Sequence, residues 1–246
     1  NIIGANFANI TLVLGIVALV SGGIEISSQI SKRIFWLSLL LSLLPSVLMF
    51  NGGINRSSGI LLCLVFLVYL ILFLSDGKFF DRSLSHIPYR PEYFGEAYLN
   101  LANLIFGIPV LVLSSLFIVI FGLSLANSLS VAPLFVGVVF LGLLTSLPEL
   151  FFGLRGSILR HPALSLGNIL TTIVFNGTFI IGIVAIASET TIKASGDLFR
   201  LSTIFMLVAF LFLSIFSYIS SKISRLEGIL LILIYLLFDK VRIHIR

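Results

Sequence analysis

Charged residues are scarce in this chain of 246 residues, since Asp, Glu, Lys and Arg together make up 10% of it. A soluble globular domain would carry about a quarter of such residues. Hydrophobic residues make up 59%, and several long stretches carry no charge, the longest from Ala97 to Pro148. Stretches of about 20 apolar residues predict membrane-crossing helices rather than the alternating strands of an outer-membrane barrel. The sequence therefore predicts an all-α integral membrane protein.

The residues of common catalytic and metal sites are also few. A single cysteine, Cys63, excludes an intramolecular disulfide and predicts a small core residue. The three histidines, His86, His161 and His244, are far apart in the chain. Neither H-E-x-x-H nor G-x-S-x-G occurs, which argues against an enzyme. The net charge of +5 would suggest nucleic acid in a soluble protein, but most basic residues lie in loops and tails, so no nucleic-acid partner is expected.

Charges, glycines and prolines separate the apolar runs and predict about eight transmembrane helices. The predicted helices cover residues 2–22, 33–50, 59–75, 99–127, 131–159, 164–188, 199–220 and 226–238. Seven charged residues and two prolines lie between Asp76 and Glu96, which indicates an aqueous linker. The predicted organisation is a first unit of three helices (1–75), a hydrophilic linker (76–98) and a second unit of five helices (99–246).

The basic residues predict the orientation in the membrane. With eight spans, nine of the 15 Lys and Arg residues fall on one side: Lys32, Arg33, Lys78, Arg82, Arg90, Arg155, Arg160, Lys222 and Arg225. Because basic loops prefer the cytoplasm, the linker is expected there and both termini outside. We expect a multi-pass protein of the cell (plasma or inner) membrane.

An internal repeat determines the predicted architecture. At a shift of 167 residues, Asn1, Asn9 and Gly15 recur as Asn168, Asn176 and Gly182, and after a two-residue slip residues 55–62 resemble residues 224–231. Residues 1–75 thus repeat as 168–240. Five predicted helices separate the starts of the copies, and an odd number turns the second copy upside down, as in secondary transporters. The second copy has two helices before its Asn168, so we expect that this chain lacks two N-terminal helices.

Polar residues inside the spans are the candidate site residues. Glu149 lies deep in an apolar span, at a cost of about 3 kcal/mol if charged and exposed to lipid. Pro148 frees backbone carbonyls one helical turn earlier, and the hydroxyls of Thr145 and Ser146 share the helix face of Glu149. In the next span, Thr172 and Asn176 share a face, as Ala5 and Asn9 do in the first copy. Such oxygens suit Na⁺ or Ca²⁺, although each residue taken singly could also serve only in helix packing.

These residues also carry a family resemblance. Residues 144–149 (LTSLPE) and 165–176 (SLGNILTTIVFN) resemble the second α-repeat, about residues 131–188, of the calcium/cation antiporter superfamily, which includes the sodium/calcium exchangers. Residues 1–10 (NIIGANFANI) resemble the back half of the first α-repeat. The resemblance covers the chain except its linker. It implies a ten-helix fold of two inverted five-helix halves, of which about eight helices are present, with ions bound between the α-repeats.

The resemblance implies a set of ion-binding residues, namely Glu149, Thr145, Ser146, Asn176, Thr172, Asn9, Gly142 and Ala5. Within it, Glu149, Asn176 and Asn9 are the implied direct ligands of the metal cation. Exchangers of the family often carry Asp at the position of Asn176 and Ser at that of Ala5. Fewer carboxylates weaken divalent binding, so the transported ion stays open.

The leading hypothesis is an antiporter that moves Ca²⁺ or a similar cation against Na⁺ by alternating access. A cation/H⁺ exchanger of the same fold stays open, as does a transport-inactive membrane scaffold, because the α-repeats are degenerate. The expected partners are the lipid bilayer and the transported Na⁺ and Ca²⁺ ions, or H⁺, and no cofactor is expected.

Overall fold

The structure is a computed structural model that describes residues 2–26, 32–75, 93–129, 141–159, 161–193, 196–220 and 222–243. Nearly all of these residues are helical, which confirms the predicted all-α class. The helices are α1 (Ile2–Ser21), α2 (Lys32–Phe50), α3 (Arg56–Ser75), α4 (Tyr93–Ser128), α5 (Gly142–Thr145), α6 (Leu147–Ile158), α7 (Pro162–Val174, continued by Phe175–Ile180 and Ile181–Ala187), α8 (Asp197–Ser220) and α9 (Arg225–Ile243).

Five helices of the described residues are long and apolar enough to cross a membrane: α1, α2, α3, and the segments Leu164–Ala187 of α7 and Phe199–Ile219 of α8. The chain is therefore a multi-pass membrane protein. All five helices lie within three residues of their predicted bounds.

Two helices extend beyond their predicted ends by more than three residues. Helix α4 begins at Tyr93, inside the linker predicted over 76–98, and α9 continues to Ile243 rather than 238. Both predicted ends lie beside a charged residue, but charge limits the hydrocarbon-crossing part of a helix and does not break its backbone hydrogen bonds. The predicted linker residues 76–92 and the predicted helical residues 131–140 lie outside the described part.

Helix α1 lies at the centre of the fold. In its most apolar window 72% of the residues are buried, against 28% for α3. Phe7 packs against the rings of Tyr235 and Phe238 of α9, with centroids 5.8 and 4.8 Å away. A core of this kind surrounds α1 with protein, whereas most of α3 is left facing outward, where lipid lies in a membrane.

The two copies of the repeat pack against each other reciprocally. Gly15 of α1 meets Gly228 of α9 so closely that a Cβ on Gly15 would lie 2.7 Å from the Gly228 carbonyl oxygen. Its repeat mate Gly182 of α7 meets Gly59 of α3, where an added Cβ would lie 2.8 Å from the Gly59 carbonyl oxygen. Close helix contact through small residues is the usual packing mode in membranes. Helices α1 and α7, which carry the repeat-related asparagines, thus each cross a helix of the opposite copy through a glycine pair.

Short backbone bridges show the same reciprocity. Strand β1 (Ile24–Glu25), after α1, pairs antiparallel with β2 (Lys222–Ile223), before α9, with Ile24 opposite Ile223. After α7, Ile192 pairs in the same way with Ile54, which precedes α3, through mutual N–H···O bonds of 2.9 Å. Equivalent segments of the two copies therefore make equivalent contacts.

Candidate functional site

The helix predicted over 131–159 is interrupted at Ser146, between α5 and α6. Ser146 has φ −92° and ψ −4°, in the sparsely populated bridge region. Pro148 follows as the second residue of α6, and its missing N–H removes one hydrogen bond of a continuous helix, which explains the break. Glu149 consequently lies in the first turn of α6, where the helix dipole favours a negative charge.

The break packs directly against α1. The Ser146 hydroxyl is 3.2 Å from the carbonyl oxygen of Ala5 and 3.0 Å from that of Gly142, and Ser146 is only 1% exposed. A Cβ on Gly142 would lie 2.9 Å from the carbonyl carbon of Gly4. Glycine at 142 is therefore required for this approach. Of the predicted site residues, Ser146, Gly142 and Ala5 are thus brought together.

Both polar helices widen into a π-helical turn at their repeat-related asparagines. In α1 the turn covers Asn9–Val13, and in α7 it covers Phe175–Ile180, which includes Asn176. Short π-helical turns within α-helices often occur at functional sites. No residue pattern in the sequence predicts these turns.

Repeat-related threonines lie inside the two turns. The Thr11 hydroxyl donates to the carbonyl oxygen of Phe7 at 2.5 Å, and the Thr178 hydroxyl donates to that of Val174 at 2.6 Å. Each bond reaches back four residues, which is the pattern by which a threonine side chain competes with the backbone and bends a helix. The two copies therefore share the same local distortion.

An amide pair joins α1 and α7 at this level. Asn6 is 1% exposed and donates from Nδ2 to the carbonyl oxygen of Ile173 at 2.9 Å. Asn176 donates from Nδ2 to Oδ1 of Asn6 at 3.2 Å. Asn6 was not among the predicted site residues. Its signal in the sequence was a third asparagine between Asn1 and Asn9 in an otherwise apolar helix.

Two oxygens of predicted ligands are buried without a hydrogen-bond partner among the described residues, namely Asn9 Oδ1 and Glu149 Oε2. Helix α6, which carries Glu149, contacts the π-helical turn that begins at Asn9. A buried acceptor left without a donor costs about 1–3 kcal/mol. A cation between such oxygens would offset that cost. The other such oxygens are hydroxyls of α2 and α8: Ser46, Ser214 and Ser217.

The remaining predicted residues lie at the edge of this arrangement. Thr172 is partly buried on α7, one turn before Asn176. Thr145 is exposed, and its hydroxyl donates to the carbonyl oxygens of Leu141 and Gly142 at 2.7 and 3.2 Å. The structure thus separates Thr145 from the buried Ser146, although both were predicted to share the face of Glu149.

The donor chemistry of the site is that of hard oxygen ligands. Within the described ranges, no group of three or more His, Cys, Asp or Glu side chains is placed to hold a metal ion. One carboxylate, several amides and hydroxyls match the ligands of Na⁺ and Ca²⁺ better than those of zinc or copper. These features define a class, that of multi-pass helical membrane proteins with buried polar side chains on their central helix.

Comparison with known proteins gives the family within that class. The sequence profile of the family described as sodium/calcium exchanger protein matches residues 1–75 and 99–240. Because the match covers most of the chain, the protein belongs to the sodium/calcium exchanger protein family. The resemblance found in the α-repeats is thereby confirmed.

Two relatives and one solved structure illustrate the similarity. The putative antiporter CaxA of Alkalimonas amylolytica is 29% identical over 245 residues, which cover 96% of this chain and 75% of that protein. The inner membrane protein YrbG of Escherichia coli (strain K12) is 27% identical over 189 residues, which cover 75% of this chain and 58% of that protein. The sodium-calcium exchanger NCX_Mj, soaked with 2.5 mM Na⁺ and 1 mM Sr²⁺, superposes with a TM-score of 0.68 at 23% identity, covering 96% of this chain and 74% of that one. This likeness confirms the exchanger fold.

Proposed function

We propose that the protein is a secondary active antiporter that exchanges Na⁺ for Ca²⁺ across the membrane. The observation that carries the proposal is a pair of buried oxygens, Asn9 Oδ1 and Glu149 Oε2, which lie on elements in contact and have no hydrogen-bond partner in the part of the chain that the structure describes. In a membrane interior such atoms have no water to compensate them. A transported cation supplies the missing positive partner and leaves again when the site opens.

The site residues divide into ligands and supports. Glu149 supplies the negative charge, and Asn9 and Asn176 supply neutral oxygens. Thr172 and Ser146 add hydroxyl or carbonyl oxygens around them. The exposed hydroxyl of Thr145 is bonded to the backbone of its own helix, so Thr145 would contribute its carbonyl oxygen. Gly142 and Ala5 let the broken helix approach α1, which keeps Glu149 beside the π-helical turn of that helix.

The composition of the site suits exchange rather than permanent binding. Na⁺ and Ca²⁺ both prefer oxygen ligands, and the affinity for a divalent cation rises with the number of carboxylates. A site with amides at 9 and 176 would therefore release Ca²⁺ more readily than one with carboxylates at those two positions. An antiporter needs such release on the far side of the membrane.

The reciprocal packing of the repeats fits alternating access. In transporters with inverted repeats, the site lies between the copies, and movement of one copy against the other opens it to either side. Here residues 1–75 would form the remainder of one half and residues 93–246 the other, joined by a cytoplasmic linker that ends where α4 begins at Tyr93. The crossings of α1 with α9 and of α7 with α3 link the two halves.

Uptake of radiolabelled Ca²⁺ into vesicles that contain the full-length protein tests this function. Three conditions are compared: an outward Na⁺ gradient, a pH gradient, and no gradient. Uptake driven by the Na⁺ gradient is the expected result. Uptake driven only by the pH gradient would instead establish a cation/H⁺ exchanger with Glu149 as its titratable ligand, and absence of uptake under all three conditions would favour a transport-inactive scaffold.

A further inference from the structure

The amide pair between α1 and α7 contains a fixed sequence of donors and acceptors. It begins at the carbonyl oxygen of Ile173, which can only accept a hydrogen bond. That carbonyl accepts from Asn6 Nδ2 at 2.9 Å. Oδ1 of Asn6 then points to Asn176 and accepts from Asn176 Nδ2 at 3.2 Å.

This order removes the usual ambiguity of an amide. The oxygen and nitrogen of an asparagine can exchange places with little change in shape, so their assignment depends on the neighbouring groups. Here the backbone carbonyl of Ile173 requires the nitrogen of Asn6 on its side, and Oδ1 of Asn6 in turn requires the nitrogen of Asn176. Oδ1 of Asn176 is thereby left outside the bonded sequence, as the atom available to a cation.

We propose that Asn6 is a positioning residue that orients the Asn176 amide so that Oδ1 faces the transported cation, and that it disfavours a carboxylate at position 176. The proposal rests on the proposed function, because it assigns the ligand atom of that site. An ionised aspartate at 176 would direct a carboxylate oxygen toward Asn6 Oδ1, and neither group has a hydrogen to donate. Asn6 and Asn176 therefore function as a matched pair.

Only the first copy of the repeat carries an asparagine at this position. Position 6 of the first copy corresponds to position 173 of the second, which is Ile173. The first copy thus supplies the side chain, and the second copy supplies at the equivalent position the backbone carbonyl that anchors it. Because the second copy carries isoleucine at the equivalent position, Asn6→Ile is a suitable substitution for removing the amide.

The test compares Asn176→Asp in two backgrounds, with Asn6 present and with Asn6→Ile. The thermal unfolding midpoint of the purified full-length protein is measured without added Na⁺ or Ca²⁺. We expect Asn176→Asp to lower the midpoint clearly more when Asn6 is present than when it is replaced, because only then do two acceptors face each other. An equal decrease in both backgrounds would overturn the proposal. If Asn6→Ile does not give folded protein, Asn6→Ala serves for the same comparison.

A transport measurement separates positioning from simple packing. Asn6→Ile in an otherwise unchanged chain should raise the KM for Ca²⁺ about tenfold, the equivalent of one well-oriented hydrogen bond. The matched control is Thr171→Val, which removes the hydroxyl bond to the Gly167 carbonyl oxygen at 2.8 Å on the same helix and should leave KM within about twofold. A KM for Asn6→Ile equal to that of the control would contradict the proposal.

The two measurements keep this inference distinct from the proposed function. Failure of the wild-type protein to exchange cations would reject the proposed function, while the unfolding comparison would still detect the coupling of Asn6 to Asn176. Normal exchange without any coupling between these residues would reject only the positioning role.

Discussion

The stability of the fold does not explain why Asn9 is buried. Its side chain is 1% exposed, yet Oδ1 has no hydrogen-bond partner among the described residues. An unpartnered buried oxygen is destabilising by about 1–3 kcal/mol. A residue that weakens the fold in this way is typical of a functional site, where affinity for a ligand is gained at the expense of stability.

Replacement of Asn9 should therefore separate stability from transport. Asn9→Ala removes the unpartnered oxygen, so the unfolding midpoint in ion-free buffer should stay level or rise. The KM for Ca²⁺ should rise about tenfold or more, because a ligand oxygen is lost. Thermal unfolding and vesicle uptake of the same preparation measure both quantities. A lower midpoint together with an unchanged KM would make Asn9 a packing residue.

Tyr69 shows the opposite behaviour, since its polar atom is fully engaged. The Ser38 hydroxyl donates to the Ile34 carbonyl oxygen at 2.8 Å, so its contact of 2.9 Å with the Tyr69 hydroxyl is one in which the tyrosine donates. Tyr69→Phe should lower the free energy of unfolding by about 0.5–1.5 kcal/mol, the usual value of one hydrogen bond. Denaturant unfolding in detergent measures this change, and the KM for Ca²⁺ should not change. Unaltered stability would show that the bond contributes nothing in the membrane interior.

The sequence indicates the candidate ligands more readily than it indicates Asn6, the residue proposed to position one of them. Glu149, Asn9 and Asn176 stand out because polar groups are rare in apolar spans and because two of them are repeat mates. Asn6 is equally polar, but its repeat mate is Ile173, so the match between the two copies does not indicate it. Its role depends on a bond to a backbone carbonyl, which side-chain types do not encode.

At the scale of the helix, composition determines where an element lies and leaves its local geometry open. The apolar runs place the five long spans closely, and Pro148 indicates the interruption of the carboxylate helix. The π-helical turns at Asn9–Val13 and Phe175–Ile180 could not be predicted. An extra residue in a turn weakens backbone hydrogen bonds, and it persists only where neighbouring helices compensate, which is tertiary information.

The glycine crossings give a prediction at this scale. Gly228→Ala would bring a Cβ to 2.8 Å from the Gly15 carbonyl oxygen, and Gly182→Ala would bring one to 2.7 Å from Cys63 Sγ. Each substitution should destabilise the protein by about 1–3 kcal/mol, because the helices must move apart. The matched control is Gly107→Ala in α4, where an added Cβ meets no atom of the described residues within 4 Å. Unfolding midpoints of the three variants check this, and equal values for all three would contradict close packing at the crossings.

At the scale of the whole molecule, the two copies of the repeat form one structure because the helices of each copy pack against helices of the other. The bridge of Ile24 with Ile223 and the bridge of Ile192 with Ile54 connect opposite copies at equivalent positions, as the glycine pairs do. The repeat was detectable from asparagine and glycine spacing in the sequence. That its members pack across copies rather than within one could be learned only from the contacts.

The central claim is that the oxygens around Glu149 bind the transported cation, and one comparison tests it most directly. Na⁺-gradient-driven uptake of radiolabelled Ca²⁺ is measured for wild type, Glu149→Gln and Glu189→Gln in vesicles of equal protein content. Glu189 is an exposed carboxylate beyond the end of α7, so its variant controls for a general loss of charge. We predict background uptake for Glu149→Gln and normal uptake for Glu189→Gln. Uptake by Glu149→Gln equal to that of wild type would contradict the account.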